Sequence, residues 1–310
     1  MTEVCGRLAP SPTGRLHLGH ARSFLAAWWS ARGQGGRVVL RIEDLDAERV
    51  KPGATELVLR DLEWLGLDWD GAPLLQSERR DAHAETLGWL VERGLAYPCV
   101  CTRREVQEAA SAPHADGAES PYPGTCRGRY RSAAEALEAT GRDPALRLRI
   151  GESVGRRTRF RDAVLGEVEV DVAAEVGDFV VQRKDGVAAY QFATPLDDAF
   201  QGVTEVVRGD DLVPSAARQA LVLEALGLES PAQAHVSLVF GADGRRLAKR
   251  AGSLSLEELR DTGVAPSRIR AWAARSLGIE GGEPSPGQAL DWGAVPRGPV
   301  LLPEDPLAAL

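Results

Sequence analysis

Residues Arg7-Leu8-Ala9-Pro10-Ser11-Pro12-Thr13-Gly14-Arg15-Leu16-His17-Leu18-Gly19-His20 decide how the chain is read. A short apolar segment, Val4 to Ala9, runs into a loop of proline, serine and glycine. Two histidines and a glycine then open a helical run from Ala21 to Arg32. Strand, loop and helix start in that order favour bound phosphate, because the first N–H groups of a helix are unpaired and carry the positive end of its dipole. Gly14 and Gly19 let backbone approach a nucleotide closely. His17 and His20, three apart, can project from one face of the first turn. Taken alone, the stretch also fits a plain loop before a capped helix. It is not a P-loop, since no Gly-Lys-Ser/Thr follows, and it is not a GxGxxG turn.

Moving outward, Gly33, Gly35 and Gly36 end that helix and Arg37 to Ile42 reads as a second strand. Strand, helix, strand at this spacing is a parallel βαβ unit, whose ligands bind at the carboxyl ends of the strands. The Pro10 loop lies there, and so does Glu43-Asp44-Leu45-Asp46. Three carboxylates in four residues fit a cation, an amine, or simple solvation and helix capping. Two amphipathic helices follow, Ala54 to Leu65 and Asp81 to Arg93, with Trp64 and Trp89 expected in the core. Tyr97-Pro98 is expected to break the pattern.

Further along, Asp178 to Thr194 reads as a hairpin about Asp185-Gly186, with Tyr190 on its second strand. Val203 to Val207 reads as a buried strand ending at Arg208-Gly209-Asp210-Asp211. A helix from Pro214 or Ser215 to Leu226 and a strand from His235 to Phe240 come next. Asp243-Gly244 turns the chain into a basic loop, Arg245 to Gly252, suited to phosphate charge in a phosphoryl or nucleotidyl transition state or to a polar hairpin loop. Helices are expected at Leu256 to Asp261 and Pro266 to Leu277. The Gly- and Pro-rich tail from Glu280 is expected to be weakly structured.

At 310 residues, with 44% apolar and 26% charged content, the chain reads as globular: one large domain with an insertion, or two domains. A net charge of −8 excludes a generic polyanion binder, so any nucleic acid would need a local basic patch. Arg127, Arg129, Arg131, Arg142, Arg147, Arg149, Arg156, Arg157, Arg159 and Arg161 supply either such a patch or scattered solubilising charge. No signal-peptide pattern and no apolar run of membrane-spanning length is present, so the cytoplasm is the expected location and no membrane partner is expected. Cys5 stands alone in an apolar segment and is expected to pack as a small hydrophobe. Cys99, Cys101 and Cys126 flank a stretch, Ala109 to Thr125, rich in Ala, Ser, Pro and Gly. In a cytosolic chain such a cluster favours a metal over a disulfide, with free thiols as the alternative. Three thiolates suit tetrahedral zinc without completing it; Tyr122, His114 or water is the fourth ligand.

Taken in order, Ala9-Pro10-Ser11-Pro12-Thr13-Gly14 with His17-Leu18-Gly19-His20 resembles the HIGH signature of class I aminoacyl-tRNA synthetases. Arg41-Ile42-Glu43-Asp44-Leu45-Asp46 resembles the glutamyl branch, and Arg246-Leu247-Ala248-Lys249-Arg250 stands where that family carries KMSKS. The likeness spans about Gly6 to Leu277. The chain ends soon after the KMSKS-like loop, so no anticodon-binding domain is expected. A truncated glutamyl enzyme with a CxC…YxxxC cluster resembles the glutamyl-Q tRNA(Asp) synthetases.

That resemblance implies an α/β fold, with a Rossmann-like catalytic core split over residues 1–98 and 176–240. A zinc-bearing, acceptor-contacting subdomain would be inserted at 99–175. The KMSKS-like loop, stem-contact helices and tail would fill 241–310. It implies ATP-dependent activation of L-glutamate and transfer to the queuosine base of tRNA(Asp), with Mg²⁺ accompanying ATP, one structural Zn²⁺, and a monomer. The alternatives are a minimal glutamyl-tRNA synthetase charging a 3′ end and a non-catalytic paralogue. By the same resemblance, Arg7, Leu8, Ala9, Pro10, Ser11, Glu43, Tyr190 and Arg208 bind glutamate. His17, His20 and Lys249 are catalytic, Gly19, His20 and Lys249 bind ATP, and Cys99, Cys101, Tyr122 and Cys126 hold the metal. An arginine fork suits a substrate carboxylate and Glu43 its ammonium. The loop departs from KMSKS at Arg246, which keeps a charge, and at Ala248, which loses a hydroxyl.

Overall fold

The computed structural model describes residues 3–109, 121–151, 154–245, 247, 255–280, 282–285 and 287–310. Lys249, Arg246, Ala248, Arg250 and His114 therefore lie outside the described residues. The chain opens with β1 (Cys5–Leu8), α1 (Leu18–Gly33) and β2 (Arg37–Ile42). β1 and β2 pair in parallel, Cys5 opposite Arg37 through Leu8 opposite Leu40. β1 is buried throughout and β2 everywhere except Arg37, as strands covered on both faces must be. α2 (Ala54–Trp64) leads to β3 (Leu74–Leu75), parallel to β2.

The middle of the chain carries α3 (Arg80–Glu92), β4 (Ala96–Cys99), α4 (Arg103–Ala109), α5 (Ala133–Thr140) and β5 (Ala145–Leu148). It continues through β6 (Arg157–Asp162), β7 (Gly166–Asp171), α6 (Val172–Glu175), β8 (Val180–Gln182) and α7 (Tyr190–Gln201). The last third contains β9 (Glu205–Gly209), α8 (Val213–Leu226), β10 (Ala232–Val236), β11 (Val239–Phe240), α9 (Leu256–Asp261), α10 (Pro266–Ser276) and β12 (Val300–Leu301).

β10 lies parallel between β9 and β6, and β7 closes that sheet antiparallel to β6. The two main sheets meet edge to edge. The Thr204 N–H donates to the Cys5 carbonyl at 2.9 Å, and the Cys5 N–H donates to Thr204 Oγ1 at 2.8 Å. The strand order thus runs β3-β2-β1, then β9-β10-β6-β7, and it reverses direction of progress between β1 and β9. In an open α/β sheet such a switch point opens a crevice at the carboxyl ends of its two strands. One buried cluster, with Leu25, Leu40, Leu62 and Trp272, packs helices on this sheet. A second, with Leu87, Leu148, Phe192 and Leu221, underlies the antiparallel sheet β4-β5-β8. The sheets run across positions 99 and 176: β6 and β7 pair beside β10, while β8 pairs with β5.

Several local expectations are corrected. Tyr97-Pro98 does not break the pattern but sits inside β4, with Pro98 opposite Leu146. The Asp185-Gly186 turn forms, with Gly186 at φ 80°, yet only Gln182 and Ala188 pair across it. Tyr190 begins α7 instead of lying on a strand. Pro195 inside α7 argues locally against a helix, and burial of Phe192, Ala193, Asp197 and Asp198 outweighs it. The strand expected over His235 to Phe240 is two: β10 ends at Val236 and β11 starts at Val239. Trp89 is 37% exposed under the Arg93 guanidinium, 4.0 Å from its carbon. The tail is not loose among its described residues, since β12 pairs in parallel with β11 and Val295 and Leu302 are buried.

Candidate active site

At the switch point lies a cavity of about 670 Å³, lined from one side by the loop after β1 and the start of α1 and from the other by the end of β9. His17 is the N-cap of α1 and its Nδ1 accepts the Gly19 N–H at 3.1 Å. His20 Nδ1 in turn accepts the His17 N–H at 3.2 Å, which completes a capping box built of histidines. The rings stack with centroids 3.8 Å apart. Both spend Nδ1 on backbone. A Cβ at Gly19 would stand 3.1 Å from the His17 ring, so a larger residue there would press on the capping imidazole.

The far side of the helix start is pinned by residues that follow the basic loop. His17 bridges Ser255, the Leu256 N–H donates to the Leu16 carbonyl at 2.8 Å, and Arg15 pairs with Glu257 and Glu258. Leu247 also lines the cavity. The described flanks of the KMSKS-like loop therefore lie against the helix start.

A corner of buried charge forms the other end. Arg41, fully buried on β2, pairs with Asp198 of α7 at 2.7 Å and with Glu43 at 3.2 Å. Arg7 of β1 pairs with the same Asp198 oxygen at 2.9 Å. Thr194 donates to Glu43 Oε1 at 3.2 Å, so both described bonds to Glu43 use one oxygen. Burial opposes the Arg41 charge, but Asp198 and Glu43 overcome it and raise its pKa. Burial would also raise Asp198, yet the charges of Arg41 and Arg7 hold its carboxyl below the usual range. Arg208, on β9, is equally buried, which lowers its pKa, while contact with the Tyr190 phenol works the other way. Three guanidinium groups face two carboxylates here. The corner carries one positive charge in excess, which matches an amino acid with two carboxylates and one ammonium.

The structure brings Arg7, Ala9, Pro10, Ser11, His17, Gly19, His20, Glu43, Tyr190 and Arg208 to this single cavity. Leu8 is different: its side chain is fully buried in the core and faces away. Sequence reading missed Asp198, the shared partner of Arg7 and Arg41, and the role of Arg41 itself. The one local signal was a charged residue inside the apolar run Arg37 to Ile42.

A second cluster joins Cys99, at the end of β4, with Cys101 and Cys126; their sulfurs lie within 4.8 Å of one another. Cys101 Sγ is 3.5 Å from Cys126 Sγ, and the Tyr122 hydroxyl lies 3.3 Å from Cys99 Sγ and 3.7 Å from Cys101 Sγ. A tetrahedron of ligands about 2.3 Å from a zinc ion has edges of about 3.8 Å, so the four groups have the spacing of one ligand shell. The Cys126 N–H donates to the phenol oxygen at 2.9 Å, a bond that suits a phenolate. Arg147 stacks on the Tyr122 ring and donates to Cys99 Sγ at 3.3 Å. The residues present fit a metal. Of the arginines that follow, Arg127 pairs with Asp178, Arg142 with Glu105, and Arg157 and Arg159 with Glu169. Much of the basic run is thus internally balanced.

The model of the catalytic domain of class I tRNA synthetases (E and Q) matches residues 3–282. The chain is 47% identical over 290 residues to the glutamyl-Q tRNA(Asp) synthetase of Rhodopirellula baltica, covering 90% of this chain and 86% of that protein. It is 43% identical over 321 residues to the glutamyl-Q tRNA(Asp) synthetase of Symbiobacterium thermophilum, covering 99% and 98%. Among solved structures, a glutamate tRNA ligase from Elizabethkingia meningosepticum in complex with its amino acid superposes with a TM-score of 0.80 at 27% identity, over 97% of this chain and 67% of that one. With that match running through β1, the histidine-capped helix and the charged corner, the chain belongs to the class I tRNA synthetase family of the glutamyl and glutaminyl type.

Proposed function

We propose that this protein activates L-glutamate with ATP and transfers it to the queuosine base of tRNA(Asp). The observation that carries the reading is identity of 43% to 47%, over nearly the whole of both chains, to proteins named for that activity. The charged corner supports the amino-acid half. Arg7 and Arg208 take the substrate carboxylates, Glu43 takes the ammonium, and Tyr190 closes the side. Ala9, Pro10 and Ser11 line the loop that receives it, and Leu8 contributes backbone only. The start of α1, with Gly19, His17 and His20, steadies the ATP phosphates.

No protein nucleophile is required. The α-carboxylate attacks the α-phosphate in line, pyrophosphate leaves, and catalysis is positioning plus charge stabilisation. Lys249 would stabilise the pyrophosphate charge, with Mg²⁺ accompanying the nucleotide. A zinc ion on Cys99, Cys101, Cys126 and Tyr122 would fix the loop that carries them. We further propose a monomer in the cytoplasm and the three-part division 1–98 with 176–240, 99–175 and 241–310, its borders interleaved by the sheets described above. Among the described residues no helix is long and apolar enough to cross a membrane.

The test is transfer of labelled glutamate to tRNA(Asp) with and without queuosine, each with its 3′-terminal adenosine present or removed. Label that requires queuosine and persists without the terminal adenosine is the expected result. Label that leaves with that adenosine would make the protein a conventional glutamyl-tRNA synthetase.

A further inference from the structure

Arg208 is held differently from the other two arginines of the corner. Arg7 and Arg41 both lean on a carboxylate, Asp198. The hydrogen-bond acceptors around Arg208 are neutral. Its Nη1 donates to Gln219 Oε1 at 2.7 Å, its Nη2 to Gln233 Oε1 at 3.2 Å, and its Nε to His235 Nε2 at 3.1 Å. A cradle of neutral acceptors orients a guanidinium without spending its charge, which stays available to an anion in the cavity.

That arrangement works only if His235 Nε2 carries no proton. Asp162 secures this. Its Oδ1 accepts the N–H groups of Val164 at 2.9 Å, Leu165 at 2.9 Å and His235 at 3.2 Å. Its Oδ2 stands 2.6 Å from His235 Nδ1. A carboxylate fixed by three backbone donors can only accept at Oδ2, so the ring proton sits on Nδ1 and Nε2 is bare. Asp162 comes from β6, His235 from β10 and Arg208 from β9, so the chain of bonds crosses three adjacent strands. The charged groups facing the imidazole are Asp162, Arg208 and Asp210. Burial, with the Arg208 charge adding to it, lowers its pKa and keeps the ring neutral, although Asp162 works the other way.

We infer that Asp162 and His235 are positioning residues for substrate selection: Asp162 fixes the tautomer of His235, and His235 aims Arg208 at the substrate carboxylate. The inference rests on the proposal that Arg208 contacts glutamate.

Asp162→Asn tests it with almost no change of shape. Three backbone donors keep the amide oxygen at the Oδ1 position, so the NH₂ falls at Oδ2 and donates to Nδ1. The ring proton moves to Nε2 and confronts the Arg208 Nε–H. In ATP–pyrophosphate exchange, run with tRNA(Asp) present, the variant should raise KM for glutamate about 10- to 100-fold, the effect of one charge-assisted hydrogen bond turned repulsive. KM for ATP should stay within about twofold. With five histidines in the chain, ¹⁵N imidazole NMR can follow the tautomer directly. Wild-type His235 should carry its proton on Nδ1 and the variant on Nε2. A reversed tautomer with unchanged glutamate KM would overturn the inference, and so would a wild-type ring protonated on Nε2. Should Asp162→Asn fail to fold, the wild-type tautomer decides. Arg208→Gln separates the premise: if that variant binds glutamate normally, the substrate reading of Arg208 falls whatever the tautomer.

Discussion

Glu43 uses one oxygen to receive Arg41 and Thr194, and this geometry fixes what a substitution there would do. In Glu43→Gln the amide oxygen would keep those two bonds, which places the NH₂ where the substrate ammonium is to dock. An attraction becomes two donors face to face. A charge-assisted bond of about 2–3 kcal/mol corresponds to roughly a 100-fold rise in KM for glutamate. KM for ATP should hardly move, because ATP is assigned to the α1 end of the cavity. Steady-state exchange kinetics check this, and equal glutamate KM values would remove Glu43 from the ammonium site. At this scale the sequence was legible where chemistry and motif coincide. Arg7, Glu43, Tyr190 and Arg208 converge on one cavity. Asp198 was not legible. The sequence gives it no motif, and only the fold carries it beneath Arg7 and Arg41. His235 was read merely as the first residue of a strand, because a buried imidazole acquires its role from partners on β6 and β9.

Elements were legible where local chemistry and tertiary packing agree. α9 matches its expected span, with Ser255 and Glu258 forming its capping box. They were misread where packing overrides local preference, as in α7 with its internal proline and in the tail, whose pairing partner lies some sixty positions upstream. The cysteine unit belongs to this scale too. Cys99 ends β4, while Cys126 precedes Arg127, whose guanidinium meets Asp178 beside Tyr97. A metal there would tie a segment with few apolar anchors to the β4-β5-β8 sheet. Metal analysis of the purified protein should find one zinc per chain, and Cys101→Ser or a strong chelator should remove it and lower the unfolding temperature by several degrees. A protein without metal whose unfolding is untouched by Cys101→Ser would sink the assignment.

Across the whole molecule, the crevice follows from strand order alone: β1 and β9 are neighbours in space though far apart in the sequence, and the charged corner fills the gap between them. The opening βαβ unit was readable in sequence. The entry of β6 and β7 into the same sheet was not, since nothing local distinguishes them from strands of the β4-β5-β8 sheet. This sheet collects buried ionisable groups whose shifts contribute to the pH response of the fold. Asp198 and Asp162 are both held below the ordinary carboxylate range. For each, burial alone would raise the pKa; for Asp198 the Arg41 and Arg7 charges prevail, and for Asp162 the hydrogen bonds from His235 and the backbone. Their stabilisation is present above the unfolded value of about 3.9 and is lost as pH falls below it through the lower folded values. His235 is lowered, so below about pH 6.5 the unfolded chain takes up a proton that the native chain refuses. That also removes stability as pH falls, by at most about 1.4 kcal/mol per unit for one group. The two contributions share a sign and act in sequence. Denaturant unfolding should therefore give a flat stability from about pH 7 to 8, a gradual decline below about 6.5 and a steeper one below about 4. Equal stability at pH 5 and pH 7.5 would mean that His235 titrates normally in the folded chain, and the neutral cradle of Arg208 would fall with it.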